Sequence, residues 1–572
     1  MRSSTLAGPA FSLFVAVAGV ACAPAPPLHP GVPTRATSAP TLAPAQAEDA
    51  PDVQGTPGEP LPWAPFDTTT FARARAEHKL VVLDGAAEWC HWCHVMEATT
   101  YHDPAVATLL ATNFIAVKVD VDSRPDIEER YSAWGWPATV LFSPDTEELG
   151  KYRGYIAPPD FVRILADVVA AGNAPSADEP RVRATALPPS SAPLPEEELL
   201  WIERSVELAL DDYYDDDEGG WGRTQKAPIA QDNAWALDRA REGDGVMRAR
   251  ALFTLEKQRA LLDPVWGGIY QYSAGSDWTH PHFEKLMPFE AGALENYAEA
   301  YALTGDPKDL ATAQSVRRYI DAFLTSKDGA FYATEDADLN AHDATKPFVS
   351  GHDYYAMDDA HRRALGVPRV DTHEYARENG LAIAAFVTLS QATCARGQAA
   401  CDAPALASAE RAAQRILATH LSPKGGVAHD ATPDAHVLYL ADNAAFAWGL
   451  LRLYEATHSG AYLDAAQRIA DFMLKELVDP DSGGFFASSV DPDAAGVFAR
   501  RRVSFESNVA AIRVLAKLVR AGPEARRRDE RAAIDRALRA IARPEGIRAE
   551  GRMLGDFLLA LEATKGVRGE RD

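Results

Sequence analysis

The chain has 572 residues, 47% hydrophobic and 24% charged, and its 57 Lys and Arg against 82 Asp and Glu leave a net charge of −25. So acidic a field repels polyanions, and with no basic patch to override it a nucleic-acid binder is excluded. The composition is that of a globular protein large enough for more than one core, which excludes wholesale disorder.

Met1-Arg2, an apolar stretch from Leu6 to Ala21 and a small-residue exit read as a signal peptide over residues 1–22. The stretch is short for a membrane span, and Pro9 interrupts it. Gly19-Val-Ala-Cys22 resembles a bacterial lipobox with Gly where Leu is usual, so Cys22 is expected to carry lipid, with plain cleavage and secretion as the alternative. The protein is therefore expected to be exported, periplasmic or membrane-anchored, touching the membrane only through that lipid. Residues 23–62, rich in Ala, Pro, Ser and Thr, read as a tether.

Residues 63–172 carry an α/β alternation. A helix is expected over Thr68–His78, strands over Leu80–Leu83, Phe114–Val121 and Gly135–Phe142, a helix through Ile127–Tyr131 and a closing helix over Phe161–Val169. A Pro/Ser/Ala linker follows at 173–196. Residues 197–563 change in kind: long amphipathic stretches such as Phe289–Leu303, Leu310–Leu324 and Ala441–Ala456 alternate with the turns Gly219-Gly-Trp-Gly222, Gly267-Gly-Ile-Tyr270, Gly329-Ala-Phe-Tyr332, Gly425-Gly426 and Gly483-Gly-Phe-Phe486. This pattern predicts an array of helical hairpins, closed into an all-α toroid of about six, with a short tail at 564–572. Within it Cys394 and Cys401 flank a Gly-containing loop and are expected to form a structural disulfide. The acidic run Asp211–Glu218 reads as a solvated turn, with a Ca²⁺ loop as the less favoured alternative.

The chemistry concentrates in Cys90-His91-Trp92-Cys93-His94. A Cys-x-x-Cys pair opening a helix places its first thiol where free N–H groups and the helix dipole favour thiolate. Cys90 is thus expected to be an exposed nucleophile and Cys93 the resolving thiol, with Asp84, buried on the preceding strand, as proton acceptor. Three other readings stand beside this one. Cys-x-x-Cys-His also spells a c-type haem attachment site, which leaves Asp84 and Pro137 unexplained. A zinc site from Cys90, Cys93, His91 and His94 lacks a second, distant pair of ligands. The third is a disulfide that is merely structural.

Asp84, Trp89-Cys90 and Gly135-Trp136-Pro137 stand in the register of thioredoxin, which implies a cis Pro137 shaping a substrate groove. His91-Trp92 replaces thioredoxin's Gly-Pro, and with Trp89 and His94 these residues would tune the redox couple. The longer string Trp89-Cys-His-Trp-Cys-His-Val-Met96 resembles the family of spermatogenesis-associated protein 20, in which a thioredoxin-like domain precedes an α/α toroid related to six-hairpin glycosidases. Gly219–Pro228, Pro281–Lys285, Glu335–Asp338, Asn379–Leu381 and Asp479–Phe486 echo the same pattern. The chain departs from it at Met287-Pro-Phe-Glu290 and at Glu506-Ser-Asn508.

In the toroid, His280, His282 and Glu284 follow one Gly turn, and Glu335, Asp336 and Asp338 follow the next, so the two sets are candidates for one rim. Paired carboxylates could serve glycoside hydrolysis and His with Glu sugar epimerisation, with Trp266, Tyr270, Tyr272 and Trp278 as stacking platforms. Solvated loops are the plainer alternative, and His280, His282 and Glu284 could instead hold a metal. The expectation is an exported thiol–disulfide oxidoreductase acting on client proteins, with neither cofactor nor metal. The alternatives are a carbohydrate-binding or sugar-converting toroid, or a docking scaffold that presents partners to the thioredoxin-like domain.

Overall fold

A computed structural model describes residues 61–132, 135–172, 193–343, 345–396, 401–431 and 436–568. The signal peptide, Cys22, the tether up to residue 60 and most of the linker lie outside the described residues.

The first layered unit opens with α1 (Thr68–Glu77), capped by Asp67, whose carboxylate accepts from Thr70 N. β1 (Leu80–Ala86) follows, then α2 (His91–Thr99), α3 (Pro104–Asn113), β2 (Phe114–Asp120), α4 (Pro125–Tyr131), β3 (Ala138–Phe142), β4 (Glu148–Arg153) and α5 (Pro158–Gly172). The sheet runs β2-β1-β3-β4, with β1 and β2 parallel and β3 antiparallel to both neighbours. β1, β2 and β3 are nearly continuous apolar runs because helices cover both faces of the sheet. α3 and β4 are absent from the sequence reading. α3 is an Ala-rich turn of helix set by Asp103 and Pro104, and β4 is a half-exposed edge strand with little apolar alternation.

The second unit is a closed ring. Six inner helices, α7 (Ala230–Arg241), α9 (Met287–Thr304), α13 (Ala376–Ala395), α15 (Leu440–Thr457), α17 (Phe505–Ala521) and α20 (Gly555–Thr564), pack side by side, with α20 returning to α7. Six outer helices, α6 (Glu196–Tyr213), α8 (Gly245–Gln258), α10 (Pro307–Phe323), α14 (Ala403–Thr419), α16 (Gly460–Phe472) and α18 (Glu524–Ile541), pair with them among the described residues, and the short helices α11 (Gly351–Tyr355), α12 (Asp359–Leu365) and α19 (Pro544–Ala549) lie in the connections. The inner helices are buried nearly all round, so they are rich in Ala and Gly. Gly380 and Gly449 let α13 and α15 touch: a Cβ at Gly449 would sit 2.7 Å from the Gly380 carbonyl oxygen. Cys394 and Cys401 are joined by a disulfide between the end of α13 and the start of α14.

The Gly turns precede inner helices, and those at Gly267, Gly329, Gly425 and Gly483 are clamped by a polar residue in the first turn of the helix. Asn379 exchanges hydrogen bonds with the Phe331 backbone, Asn443 with Val427 and Asn508 with Phe485. Glu290 takes the same place with the Ile269 N–H. A buried amide between two loop groups satisfies donor and acceptor together and fixes where each loop leaves the ring. Asp215, in the acidic run, is held by Lys226 Nζ at 2.7 Å and accepts two backbone N–H groups, which makes that run a structural turn.

Candidate functional site

Cys90 is the N-cap of α2: its Sγ accepts the Cys93 N–H at 3.1 Å, and the two sulfurs form a disulfide. The helix starts here because the chain leaves β1 through Ala87-Glu88-Trp89 with Cys90 still extended, so that its side chain can cap. Beneath it Asp84 is 3% exposed, and burial raises its carboxyl to about 6 against the pull of the Lys118 ammonium on the neighbouring strand. The Trp136–Pro137 peptide is cis, and the Trp136 ring lies 3.1 Å from where a Cβ on Gly85 would stand. Trp89 Nε1 donates to Asp122 Oδ2 at 2.6 Å, while the Trp92 ring packs against Tyr155 and His91.

Cys90 is not the exposed nucleophile expected from sequence. It is 4% exposed and Cys93 6%, within an apolar cluster of the thioredoxin-like unit that Leu286 and Phe289 of the toroid join. The toroid also brings its acids to the motif. The His91 N–H points to Glu284 Oε1 at 3.3 Å. His91 Nδ1 and His94 Nδ1 both reach Asp338 Oδ2, at 2.8 and 3.1 Å, and Asp338 Oδ1 accepts the Gly351 N–H. Burial works against ionised Asp338, but the bonds from His91 and His94 win and hold its carboxyl well below the usual range. Burial likewise opposes Glu284, and His282 beside it lowers its pKa.

The six toroid candidates therefore separate. Glu284, Asp336 and Asp338 face the Cys-x-x-Cys motif, and His282 stacks on Tyr272 next to Glu284. Glu335 turns the other way, into a buried nest with Tyr355 and Lys285, because alternate residues of an extended segment point to opposite sides. His280 is exposed and pairs with Asp277. Of the aromatic platforms, Tyr270 and Trp278 are core, and Trp266 stacks on Phe323.

Other residues of the seam escaped the sequence reading. His429 Nδ1 pairs with Asp442 at 3.0 Å, and its Nε2 meets the Asp122 carbonyl at 2.8 Å, so the thioredoxin-like unit sits on the ring where inner helices α13 and α15 begin. Burial opposes the His429 cation, but Asp442 overrides it and raises its pKa to about 9. His342 Nε2 lies 2.7 Å from the Glu88 carbonyl oxygen. The one advance signal was spacing: Asp336, Asp338 and His342 stand close together in a polar stretch with no apolar period.

The family model Thioredox_DsbH, described as "Protein of unknown function, DUF255", matches residues 45–170. Human spermatogenesis-associated protein 20 is 27% identical over 318 residues, half of this chain but only 40% of the human protein. Thioredoxin-1 of Drosophila yakuba is 34% identical over 79 residues, 14% of this chain and 70% of that protein. Among solved structures, a D-mannose isomerase is 11% identical with a TM-score of 0.47, covering 65% of this chain and 98% of its own. The chain thus pairs a unit similar to thioredoxin with an α/α toroid, and over half its length it is similar to spermatogenesis-associated protein 20.

Proposed function

We propose that the protein is a thiol–disulfide oxidoreductase whose site is completed and covered by its own toroid. The observation that carries this reading is a Cys90–Cys93 disulfide at the N-cap of α2, on the helix that follows the strand holding a buried Asp84 whose carboxyl burial raises to about 6. In the reduced protein the Cys90 thiolate attacks a client disulfide, forming a mixed disulfide and releasing one client thiolate. Asp84 then takes the proton of Cys93, whose thiolate attacks Cys90 Sγ and releases the second client thiolate. The client gains two electrons and the Cys90–Cys93 pair is oxidised; the reverse sequence would oxidise a client dithiol. In an exported, lipid-tethered protein those clients would be other exported chains.

With both thiols buried in an apolar cluster that residues of the toroid complete, a client strand reaches Cys90 only when the seam parts. The toroid in this reading is a scaffold that gates the thiols. A carbohydrate site at the ring mouth would need the same opening, since His429 is already bonded to the Asp122 carbonyl.

Cys93→Ser in the full chain should trap mixed disulfides with a disulfide-containing test protein, and equilibration with glutathione should give the potential and the direction of electron flow. Failure of reduced Cys90 to react with a thiol reagent or to trap anything sinks the redox reading. A glycan array with Glu284→Gln as control tests the carbohydrate alternative.

A further inference from the structure

Four donor atoms converge on one point of the seam, beside the disulfide. The distances are 3.1 Å from Glu88 O to His94 Nε2 and 2.7 Å from Glu88 O to His342 Nε2. From Asp336 Oδ2 they are 3.3 Å to His342 Nε2 and 3.7 Å to His94 Nε2. Ligands about 2.0–2.1 Å from a tetrahedral ion stand roughly 3.3 Å apart, and these four edges scatter around that value.

The chemistry of the donors agrees with the spacing. Asp336 is 2% exposed, and its Oδ2 is aimed into the cluster, where its neighbours are His342 Nε2 at 3.3 Å and His94 Nε2 at 3.7 Å and neither makes a well-aligned hydrogen bond to it. A buried carboxylate oxygen is costly unless something cationic takes it, and a metal ion held by the two imidazoles would meet it more squarely than the imidazoles do. His94 Nδ1 is turned to the Asp338 carboxylate at 3.1 Å, the outer partner that orients a metal-bound imidazole and leaves the Nε2 lone pair facing the cluster. Asp338 is itself fixed by the Gly351 N–H. His342 stands at the edge of a cleft of about 180 Å³ shared with Asn340, Asp343 and Arg369, which provides an entry path.

We propose that His94, His342, Asp336 and the Glu88 carbonyl bind a divalent first-row transition cation of the Zn²⁺ class, independently of the thiols. The two-imidazole, two-oxygen set suits a borderline ion rather than Ca²⁺ or Mg²⁺. Two donors come from the segment flanking the Cys-x-x-Cys motif and two from the toroid, so the ion would pin the two units together next to Cys90. The distant ligand pair that a zinc site built on the motif alone lacks is thus supplied from about 240 residues away. The competing arrangement is a metal-free network in which both imidazoles donate to the Glu88 carbonyl.

The test uses the full chain without an affinity tag, stripped by chelator, with Cys90–Cys93 kept oxidised. Co²⁺ should bind one per chain with the visible absorption of a tetrahedral site, and Zn²⁺ should displace it. His342→Ala, at a half-exposed position that tolerates truncation, and Asp336→Asn should each weaken binding by at least about 100-fold. The proposal is overturned if the oxidised chain binds no stoichiometric ion, or if His342→Ala keeps wild-type affinity. It is equally overturned if Co²⁺ binds only after reduction, with thiolate charge-transfer absorption that alkylation of the cysteines abolishes. None of these outcomes bears on trapping by Cys93→Ser, so the redox reading stands or falls separately.

Discussion

Two buried carboxylates, one from the sheet and one from the toroid, have charges governed by opposite rules. Asp84 comes from the sheet below, is 3% exposed, and has an Oδ1 without a hydrogen bond; burial lifts its pKa to about 6. Asp338 comes from the toroid above, is 1% exposed, and takes hydrogen bonds from His91, His94 and the Gly351 N–H; its pKa falls well below normal. Burial is the same for both, so the donors decide. A carboxylate short of donors is a proton acceptor in waiting, and one surrounded by them is a fixed anion that organises its neighbours.

The sharpest way to break this contrast is Asp338→Asn, which removes the charge that His91 and His94 share. Thermal or urea unfolding at pH 7 should show a loss of about 3–5 kcal/mol, the usual result of stripping one partner from a buried pair. A loss below about 1 kcal/mol would mean that the histidines are held by something else. Asp84→Asn should act in the opposite direction. The folded pKa near 6 exceeds the unfolded 3.8, so stability is full below about 4, falls as pH rises to about 6, and stays low above that. The variant should therefore gain about 3 kcal/mol at pH 8 and nothing at pH 3.5, while its disulfide exchange slows by about 100-fold. An unchanged pH profile would refute the raised pKa.

Asn443→Ala extends the contrast to a neutral group, since its amide makes three hydrogen bonds to the backbone of Val427 and Tyr439. The expected loss is about 2 kcal/mol, because the Val427 N–H and C=O lose a partner in a buried turn. Glu77→Gln closes the series: Glu77 pairs with Arg73 at the surface, water screens the pair, and the melting temperature should not move.

Local features were legible in advance, and distant ones were not. Asp84, Cys90 and Pro137 lie within one layered unit where strand and helix fix their register, so the Cys-x-x-Cys spacing placed Asp84 and Cys90, and the resemblance to thioredoxin placed Pro137. The long helices α9, α10 and α15 were readable from their apolar period to within a few residues. Glu284, Asp336 and Asp338 were singled out as polar residues after Gly turns, but nothing local told them to meet the Cys-x-x-Cys motif rather than a sugar. Which way they point depends on how the ring seats the smaller unit, and that is settled by Leu286, Phe289 and His429 across the seam. Glu88 contributes a backbone oxygen, which no residue pattern announces.

The ring closes only when its last inner helix, α20, docks against α7 and the first outer helix, α6. A ribosome finishes α5 some 390 residues before it finishes α20, an interval of about 20–80 s at common elongation speeds. Throughout that interval the sheet and its two thiols are complete while the ring is still open, exposed to whatever sets the redox state of a nascent chain. The ring that carries the covering residues is completed last, so the thiols are first enclosed in whatever redox state they reached during synthesis, and any later exchange needs the seam to part.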